Sequence, residues 1–533
     1  MLIHLIALLS GGLYAFAWPN FLNEGFFFLS PIALMTMVMV LERLTKTRSR
    51  VLAVLLHQTG FNLIGFYWVP GTLEEFGGLP PGASHLVSLF LAPVLNPAWW
   101  GWLVWLSYRN RLPGVLDWTK GMHAFFGAVF LTAVEVILPQ QFPVYAGHLW
   151  MHFSEWLTLA SVGGVALYSF FTWWFVLGLA PLLQRHPPAK SALVAALVFA
   201  GIHFILPAWQ ITPEKKSLNI RVVQANVGNF LKIQSENGDD GAVEDVVTRY
   251  QRLTLKEEPQ NLDLIIWPET AYPFSMSTPQ IKAGVDTPPT IFRDLIARTG
   301  AEILIGGYDH DERNPWGDHF ETEYNAAFLF GSQGELKEVY RKHILIPFGE
   351  TMPFGPMNRT LSKMLPAVSF FAAGKATPTF ITKSGASFTT PICYEILQSP
   401  FVAKLLNEAP VLPDFIVNLT NDSWYGKTAE PRQHLFLAKW RALEFRRPIV
   451  RSTNTGITTV IYPDGRVGRQ LLTGEQDVLD FNLELPLKAD HTIYQRFGML
   501  PLLGLWGLLA VAFILSWWLK IRPSKGHATL RRL

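Results

Sequence analysis

Long apolar runs dominate the first 209 residues and return once near the end. They cover about 2–18, 25–41, 51–69, 85–106, 122–138, 158–183, 191–209 and 500–519. Each has the roughly 17–25 residues that a helix needs to cross the hydrocarbon of a bilayer. The pattern predicts a multi-pass α-helical membrane domain with about eight transmembrane helices. Pro93 and Pro97 interrupt the fourth run, so that span is expected to be bent or broken. The first run lacks a basic leading segment and a small-residue cleavage site, which favours a retained span over a removable signal peptide.

Between the seventh and eighth runs the period changes. Short apolar strands are expected at 219–226, 262–267, 302–307, 325–330, 336–340, 387–392, 415–419, 449–451 and 458–462. Gly331-Ser332-Gln333-Gly334 joins two of them as a hairpin. Helices are expected at 239–256, 289–298 and 431–446, the last with Leu435, Ala438, Ala442 and Phe445 on one face. Alternating buried strands and amphipathic helices make a layered α/β domain. Three parts follow: 1–216 membrane helices, 217–490 an α/β domain, and 491–533 a terminal helix with a basic tail. Two stretches, 271–286 and 352–374, show no regular pattern. The second is rich in apolar residues, among them Phe354, Met357 and Met364. Irregular stretches of this length are usually functional or mobile, and both are read as lids that can touch a membrane.

Hydrophobic residues are 50% of the chain and charged residues 16%, too apolar a balance for one soluble globule. The placement of charge says more than the net +3, which gives no reason to expect nucleic acid. Arg43, Lys46, Arg48, Arg50, Arg109, Arg111, Lys120, Arg185 and Lys190 fall in alternate loops, and Lys520, Arg522, Lys525, Arg531 and Arg532 in the tail. The intervening loops at 19–24, 70–84 and 139–157 carry no Lys or Arg. By the positive-inside rule both termini lie in the cytoplasm and the α/β domain outside. Trp68, Phe76, Trp150, Phe153 and Trp156 in the outer loops suit an aromatic belt at headgroup level.

Cys393 is the only cysteine in 533 residues. It cannot form an internal disulfide, so its use is packing or chemistry. Two other stretches favour chemistry. In Leu264-Ile265-Ile266-Trp267-Pro268-Glu269 a carboxylate follows an apolar strand stopped by proline. In Val339-Tyr340-Arg341-Lys342 an ammonium ends another strand. A thiol at neutral pH is mostly protonated and needs a base, here Glu269. The oxyanion made by its attack needs a positive group, here Lys342. No His-x-x-x-His pair with a neighbouring carboxylate is present, so neither metal nor cofactor is expected.

Trp-Pro-Glu-Thr at 267–270, Tyr-Arg-Lys at 340–342 with Pro-Phe-Gly-Glu at 347–350, and Cys-Tyr-Glu at 393–395 resemble the Glu-Lys-Cys triad motifs of the nitrilase superfamily. Together with the membrane runs, they resemble the apolipoprotein N-acyltransferase family. The resemblance implies a four-layer αββα sandwich and an enzyme of the bacterial inner membrane with its catalytic domain on the periplasmic side. It implies acyl transfer from a phospholipid donor to a diacylglyceryl apolipoprotein acceptor, by a monomer. It also implies supporting roles for Glu350, Tyr394 and Glu395. Asn421, Trp424 and Tyr425 follow a strand and are expected to line the pocket, with Phe354 beside them. The family often has Trp a few residues after the first strand of this domain; here Ile233 stands in that place. Two other readings stay open: a membrane-tethered amidase or nitrilase, and a non-catalytic scaffold that binds lipoproteins.

Overall fold

Side chains that alternate between two faces build the C-terminal part of the computed structural model. The strands are, in chain order, β1 (Lys215–Gln224), β2 (Leu264–Ile266), β3 (Ser275–Met276), β4 (Glu302–His310), β5 (Glu323–Phe330), β6 (Leu336–Arg341), β7 (Phe380–Ile381), β8 (Ser387–Thr389), β9 (Phe415–Thr420), β10 (Ile449–Thr453), β11 (Thr458–Ile461), β12 (Val467–Leu471) and β13 (Asp477–Pro486). One sheet has the order β13-β1-β2-β4-β5-β6, with β3 beside β4; the other runs β12-β11-β10-β9-β8-β7. Each has a parallel centre, β1-β2-β4 and β8-β9-β10, extended by antiparallel strands. The described residues are 1–75, 78–109, 122–140, 142–188, 190–205, 215–257, 261–311, 321–364, 368–487 and 490–521. Phe76, Arg111, Lys120 and the basic residues beyond 521, on which the sequence reading drew, lie outside them.

Residues two apart share a face of a strand. Leu264, Ile266, Leu304, Ala327 and Leu329 therefore join a core with Phe388 and Ile416 of the second sheet. Ile265, Ile303, Ile305 and Phe328 face the other way, onto Val246, Tyr250, Phe292 and Leu295. Those residues belong to the helices Asp240–Thr254 and Thr290–Thr299. On the second sheet's side lie Ser399–Glu408 and Glu430–Phe445. The result is a nitrilase-like sandwich. β7, β12, β13 and the helices Asn229–Glu236 and Ser399–Glu408 were not among the elements expected from sequence. β13 alternates buried and exposed positions and pairs antiparallel with β1 from more than two hundred residues away. The stretch 271–286 is not irregular: β3 and the short helix Thr278–Lys282 occupy it, anchored by Thr278, whose N–H and hydroxyl both donate to Asp309 at 2.8 Å.

The helix Glu430–Phe445 is buried nearly all round, not on one face alone. The N-terminal helices cover its second side. Gln433 donates to the carbonyls of Pro19 and Gly65, both at 2.8 Å, and accepts from Trp68 Nε1 at 3.1 Å. Trp440 donates to the His148 carbonyl at 3.2 Å. Trp68 is thus a buried wedge between the two parts, not a residue of an exposed belt. Phe153 and Trp156 are exposed, and Trp150 donates to Thr172 Oγ1 at 2.7 Å.

Among the described helices, 160–184 is long and apolar enough by itself to cross a membrane. The pairs Thr47–Gly65 with Val69–Glu75 and Pro81–Val94 with Ala98–Ser107 pass only together, bent by 66° and 48°; the second bend falls at the prolines singled out above. Leu2–Phe16, His123–Ile137 and Lys190–Gly201 are apolar but shorter. Glycine allows a close helix crossing: a Cβ on Gly11 would meet the His57 carbonyl oxygen at 1.8 Å. Helix 160–179 breaks at Gly164, φ +59°, a conformation that L side chains avoid. The N–H of Val165 beyond the break donates to Glu444 Oε1 at 3.2 Å, so a carboxylate of the sandwich caps a helix of the N-terminal part.

Candidate active site

Parallel strands leave their carboxyl ends on one edge of a sheet, and the chemistry gathers there. After β2, the Trp267 N–H still donates to the Leu304 carbonyl at 2.9 Å. Pro268 then ends the ladder and Thr270 takes a positive φ of 47°. Glu269, between them, is buried. Its Oε1 accepts from Asn325 Nδ2 at 2.8 Å and Lys342 Nζ at 3.1 Å, and its Oε2 accepts from the Asn421 N–H at 2.7 Å. Lys342, fully buried just past β6, also donates to Glu350 Oε1 at 2.8 Å. Glu350 Oε1 accepts from Asn325 at 3.1 Å, and Oε2 from the Ile346 N–H at 2.9 Å. Asn325 therefore ties both carboxylates together. Two of the three ammonium hydrogens are committed to Glu269 and Glu350 among the described residues.

Cys393 sits on a turn held by two side chains. β8 stops at Thr389, and Cys393 opens a short 3₁₀ turn, Cys393–Leu397, at φ +50°. A non-glycine residue held there costs about 1–3 kcal/mol and needs surrounding restraint. Asn418 Nδ2 supplies some of it, donating to the Pro391 and Cys393 carbonyls at 3.0 and 3.3 Å. Glu395 supplies the rest. Its Oε2 accepts from the Ile392 N–H at 2.7 Å and Tyr340 Oη at 2.8 Å, and its Oε1 from the His343 and Ile344 N–H groups at 2.7 and 2.9 Å. This one carboxylate pins the nucleophile turn to the segment that follows Lys342.

Burial and the nearby Glu269 carboxylate push the Cys393 thiol well above its ordinary range, against the pull of Lys342. The resting group is a neutral thiol that needs a base. Burial alone would lower the Lys342 ammonium, but Glu269 and Glu350 hold it above its usual value, so it stays charged. Burial pushes the Glu395 carboxyl up to about 7.

A cavity of about 140 Å³ joins Cys393, Glu269, Glu350, Asn325 and Asn421. Trp424 and Tyr425 line it, as do Phe348, Phe371 and Tyr308. Lys342, Tyr394 and Glu395 do not line it; Lys342 is fully buried against Glu269 and Glu350, which do. The Tyr394 ring lies against Phe142, centroids 6.0 Å apart, and its hydroxyl accepts from Gln398 at 2.6 Å. Phe354 is half exposed and outside the lining, where Phe348 stands instead. Ile233 is also outside, but its helix turns Lys232 and Glu236 toward the cavity. Lys232 Nζ donates to Thr270 Oγ1 at 2.6 Å and pairs with Glu236 Oε1 at 2.7 Å; Tyr308 Oη donates to the same Glu236 oxygen.

Sequence reasoning missed Asn325, Lys232, Glu236 and Tyr308. It also missed Thr72 and Leu73, which carry the N-terminal helices into the cavity wall. Asn325 had a signal. The hairpin places Ala326 opposite Arg341, which puts Asn325 opposite Lys342. Behind the nucleophile, Asp422, Glu430 and His434 bring ligand atoms within 4.8 Å of one another. They are the set among the described residues that could hold an ion. Glu430 and His434 stand four residues apart on one helix, a spacing without the second histidine of a metal-binding pair. Arg451 already gives Asp422 Oδ2 a counter-charge at 2.9 Å.

Residues 220–487 match the family described as carbon-nitrogen hydrolase, and residues 10–178 the apolipoprotein N-acyltransferase N-terminal domain. The apolipoprotein N-acyltransferase of Bdellovibrio bacteriovorus is 31% identical over 474 residues, 82% of this chain and 80% of that one. Its counterpart in Haemophilus influenzae is 28% identical over 528 residues, 94% and 92% of the two chains. Among solved structures, Saccharomyces cerevisiae Nit3, of the nitrilase superfamily, aligns with a TM-score of 0.35 at 16% identity, over 54% of this chain and 97% of that one. An amidase from Nesterenkonia sp. aligns with a TM-score of 0.34 at 17% identity, over 56% and 99%. The relatives match along most of their own length as well as this chain's, and both regions carry family signatures: the chain belongs to the apolipoprotein N-acyltransferase family.

Proposed function

We propose that this chain moves a fatty acyl group from the sn-1 position of a phospholipid to the α-amine of a diacylglyceryl-cysteine at an apolipoprotein's N terminus, with Glu269, Lys342 and Cys393 as its catalytic residues. The observation that carries the reading is one cavity that a thiol, a carboxylate and residues of the N-terminal helices share. A soluble amidase has no use for that last wall. Drawing a 16-carbon chain into water costs roughly 0.8 kcal/mol per methylene, about 13 kcal/mol in all, so the donor must be met at the bilayer face.

Glu269 takes the Cys393 proton as sulfur attacks the ester carbonyl. The charged Lys342 ammonium stabilises the oxyanion. Collapse breaks the ester C–O bond, Glu269 returns the proton to the leaving alkoxide, and lysophospholipid departs from a Cys393 thioester. The neutral acceptor amine then attacks the thioester, Glu269 accepts its proton, and collapse releases an amide. The proton passes to the departing thiolate. Glu350 holds the ammonium, Asn421 fixes Glu269 through its N–H, and Trp424 and Tyr425 shape the pocket.

The same reading puts about eight spans across a bacterial inner membrane, both termini in the cytoplasm, residues 217–490 on the periplasmic side, and a monomer as the working unit. The bent pairs then count as interrupted spans and the shorter apolar helices as tilted or partnered ones. The purified protein is incubated with phospholipid and a diacylglyceryl peptide, and donor and acceptor are varied. Parallel initial-rate lines and N-acyl peptide are expected. Ammonia released from small amides, with no N-acyl peptide formed, would favour the tethered amidase.

A further inference from the structure

Behind the Cys393 cavity, and away from its lining, lies a fully buried cation that the reaction does not touch. Arg451 of β10 stands directly across the parallel ladder from Asn418 of β9. Its two terminal nitrogens go to two different segments. Nη1 donates to Asn418 Oδ1 at 2.9 Å, and Nη2 to Asp422 Oδ2 at 2.9 Å.

Each partner leads to one of the reacting side chains. The Asn418 oxygen accepts from Arg451 and from Thr420 Oγ1, the latter at 3.3 Å. With both donors on that side, the amide nitrogen is turned toward the Pro391 and Cys393 carbonyls, at 3.0 and 3.3 Å. Arg451 therefore fixes which end of the amide meets the nucleophile turn. Asp422 opens the turn Asp422–Tyr425. The residue before it, Asn421, donates its N–H to Glu269 Oε2 at 2.7 Å, and Trp424 and Tyr425 line the cavity. Gly456 leaves room for the Asp422 carboxylate: a Cβ there would meet Oδ2 at 1.9 Å. The His434 ring stands farther off, with Nδ1 3.6 Å from Asp422 Oδ1. One guanidinium thus reaches the thiol's turn through Asn418 and the base's holder through Asp422.

Stability alone gives little reason for such a pair. Desolvating two charges offsets much of their attraction, and well-packed apolar replacements are often as stable. Burial would raise the Asp422 carboxyl, but Arg451 and His434 hold it below its ordinary range, so the pair is charged. What a planar fork of donors adds is a fixed separation between its two partners.

We propose that Arg451 is a positioning residue: it sets the separation of Cys393 and Glu269 by clamping the two segments that hold them. The proposal rests on Glu269 serving Cys393 as base, as in the function proposed above, and not on the identity of the acyl donor.

Because Cys393 is the only cysteine, its alkylation by iodoacetamide reads the thiol and its base without any lipid. That rate is measured on the full chain, together with the melting temperature and with kcat and KM for N-acylation. Arg451→Met combined with Asp422→Asn removes both charges at once, so neither is left buried and uncompensated. The double variant is expected to melt near wild type and to alkylate at least about tenfold more slowly, since small misplacements of reacting groups are costly. Its kcat should fall by a similar factor with KM kept. Arg451→Lys keeps the charge but not the fork; it is expected to stay folded and to alkylate at least about threefold more slowly. Alkylation within about twofold of wild type in either folded variant would overturn the proposal. So would a loss confined to KM, or a wild type that alkylates no faster than Glu269→Gln. The expected alkylation pattern in a chain that forms no N-acyl peptide would remove the acyl-transfer reading and leave Arg451 in its role.

Discussion

The floor and the rim of the active-site cavity are built on opposite plans. On the floor, Glu269, Lys342, Glu350 and Asn325 are all buried and joined by hydrogen bonds of 2.8–3.1 Å. At the rim and in the segment beyond it, Phe348, Phe354, Met357 and Met364 are large, apolar and 43–69% exposed. The floor must hold charge in place before a transition state forms, because preorganised charge acts without reorganisation at the moment of reaction. On the proposed reaction the rim would meet long apolar chains of no fixed shape, and its exposed Phe and Met supply contact area without fixed geometry. The floor is fixed by hydrogen bonds, and the rim leaves apolar surface uncovered.

The sharpest way to break this contrast is on the floor. Replacing Lys342 by Met leaves two buried carboxylates without their cation. A loss of about 10²–10³ in kcat is expected from the missing oxyanion partner, with about 3–5 kcal/mol of stability from the uncompensated charge. Single-turnover acylation and thermal melting measure the two separately, and near-native values in both would mean that Lys342 is peripheral.

Glu395 comes next. Glu395→Gln puts an amide among four hydrogen-bond donors, and about 2–3 kcal/mol should be lost. The effect on pH dependence has a definite sign. Burial raises this carboxyl from its ordinary 4.5 to about 7. Between those values the folded chain keeps a proton that the unfolded chain has released, so this group makes stability fall as pH rises through the window. In Glu395→Gln that part of the slope disappears. Melting temperatures at about pH 5 and about pH 7.5 should lie closer together in the variant; an unchanged gap would remove Glu395 from the account.

The smallest effect belongs to the rim. A single Phe348→Ser or Met357→Ser change removes apolar surface worth at most about 1.5–3 kcal/mol per side chain when fully covered. Because these residues are only partly covered, a rise of a few fold in KM for vesicle-borne donor is expected, with kcat preserved. A fall in kcat without a change in KM would show that the rim takes part in the chemistry.

The division between floor and rim also marks what could be read from sequence. Glu269, Lys342 and Cys393 stand close after strands, so residue type and position singled them out as candidates. Their partners depend on pairings between distant segments. Asn325 reaches Lys342 through the β5–β6 register, and Asn421 reaches Glu269 through its backbone N–H, which no residue type advertises. Glu395 looked like a pocket residue because it lies two places from Cys393. A 3₁₀ turn carries it away, where it clamps backbone. Trp68 looked like part of an aromatic belt, but helix Glu430–Phe445 docks over it, a contact between residues more than 350 apart. Most strands of the sandwich announced themselves through short apolar runs, whereas the two-residue β3 and β7 and the partly exposed β12 and β13 did not. Apolar length alone also overstates how straight the N-terminal helices run, because the bends arise where Pro93–Pro97 and residues 66–68 interrupt them.

The account stands or falls on Cys393 carrying an acyl group. Wild type, Cys393→Ala and Glu269→Gln are each incubated with phospholipid in the absence of acceptor, and the peptide containing residue 393 is weighed. One fatty acyl mass on that peptide in wild type, none in Cys393→Ala and a greatly slowed appearance in Glu269→Gln is the predicted result. Turnover to N-acyl product by a wild-type enzyme that never gains that mass, or equal adduct in Cys393→Ala, would contradict it.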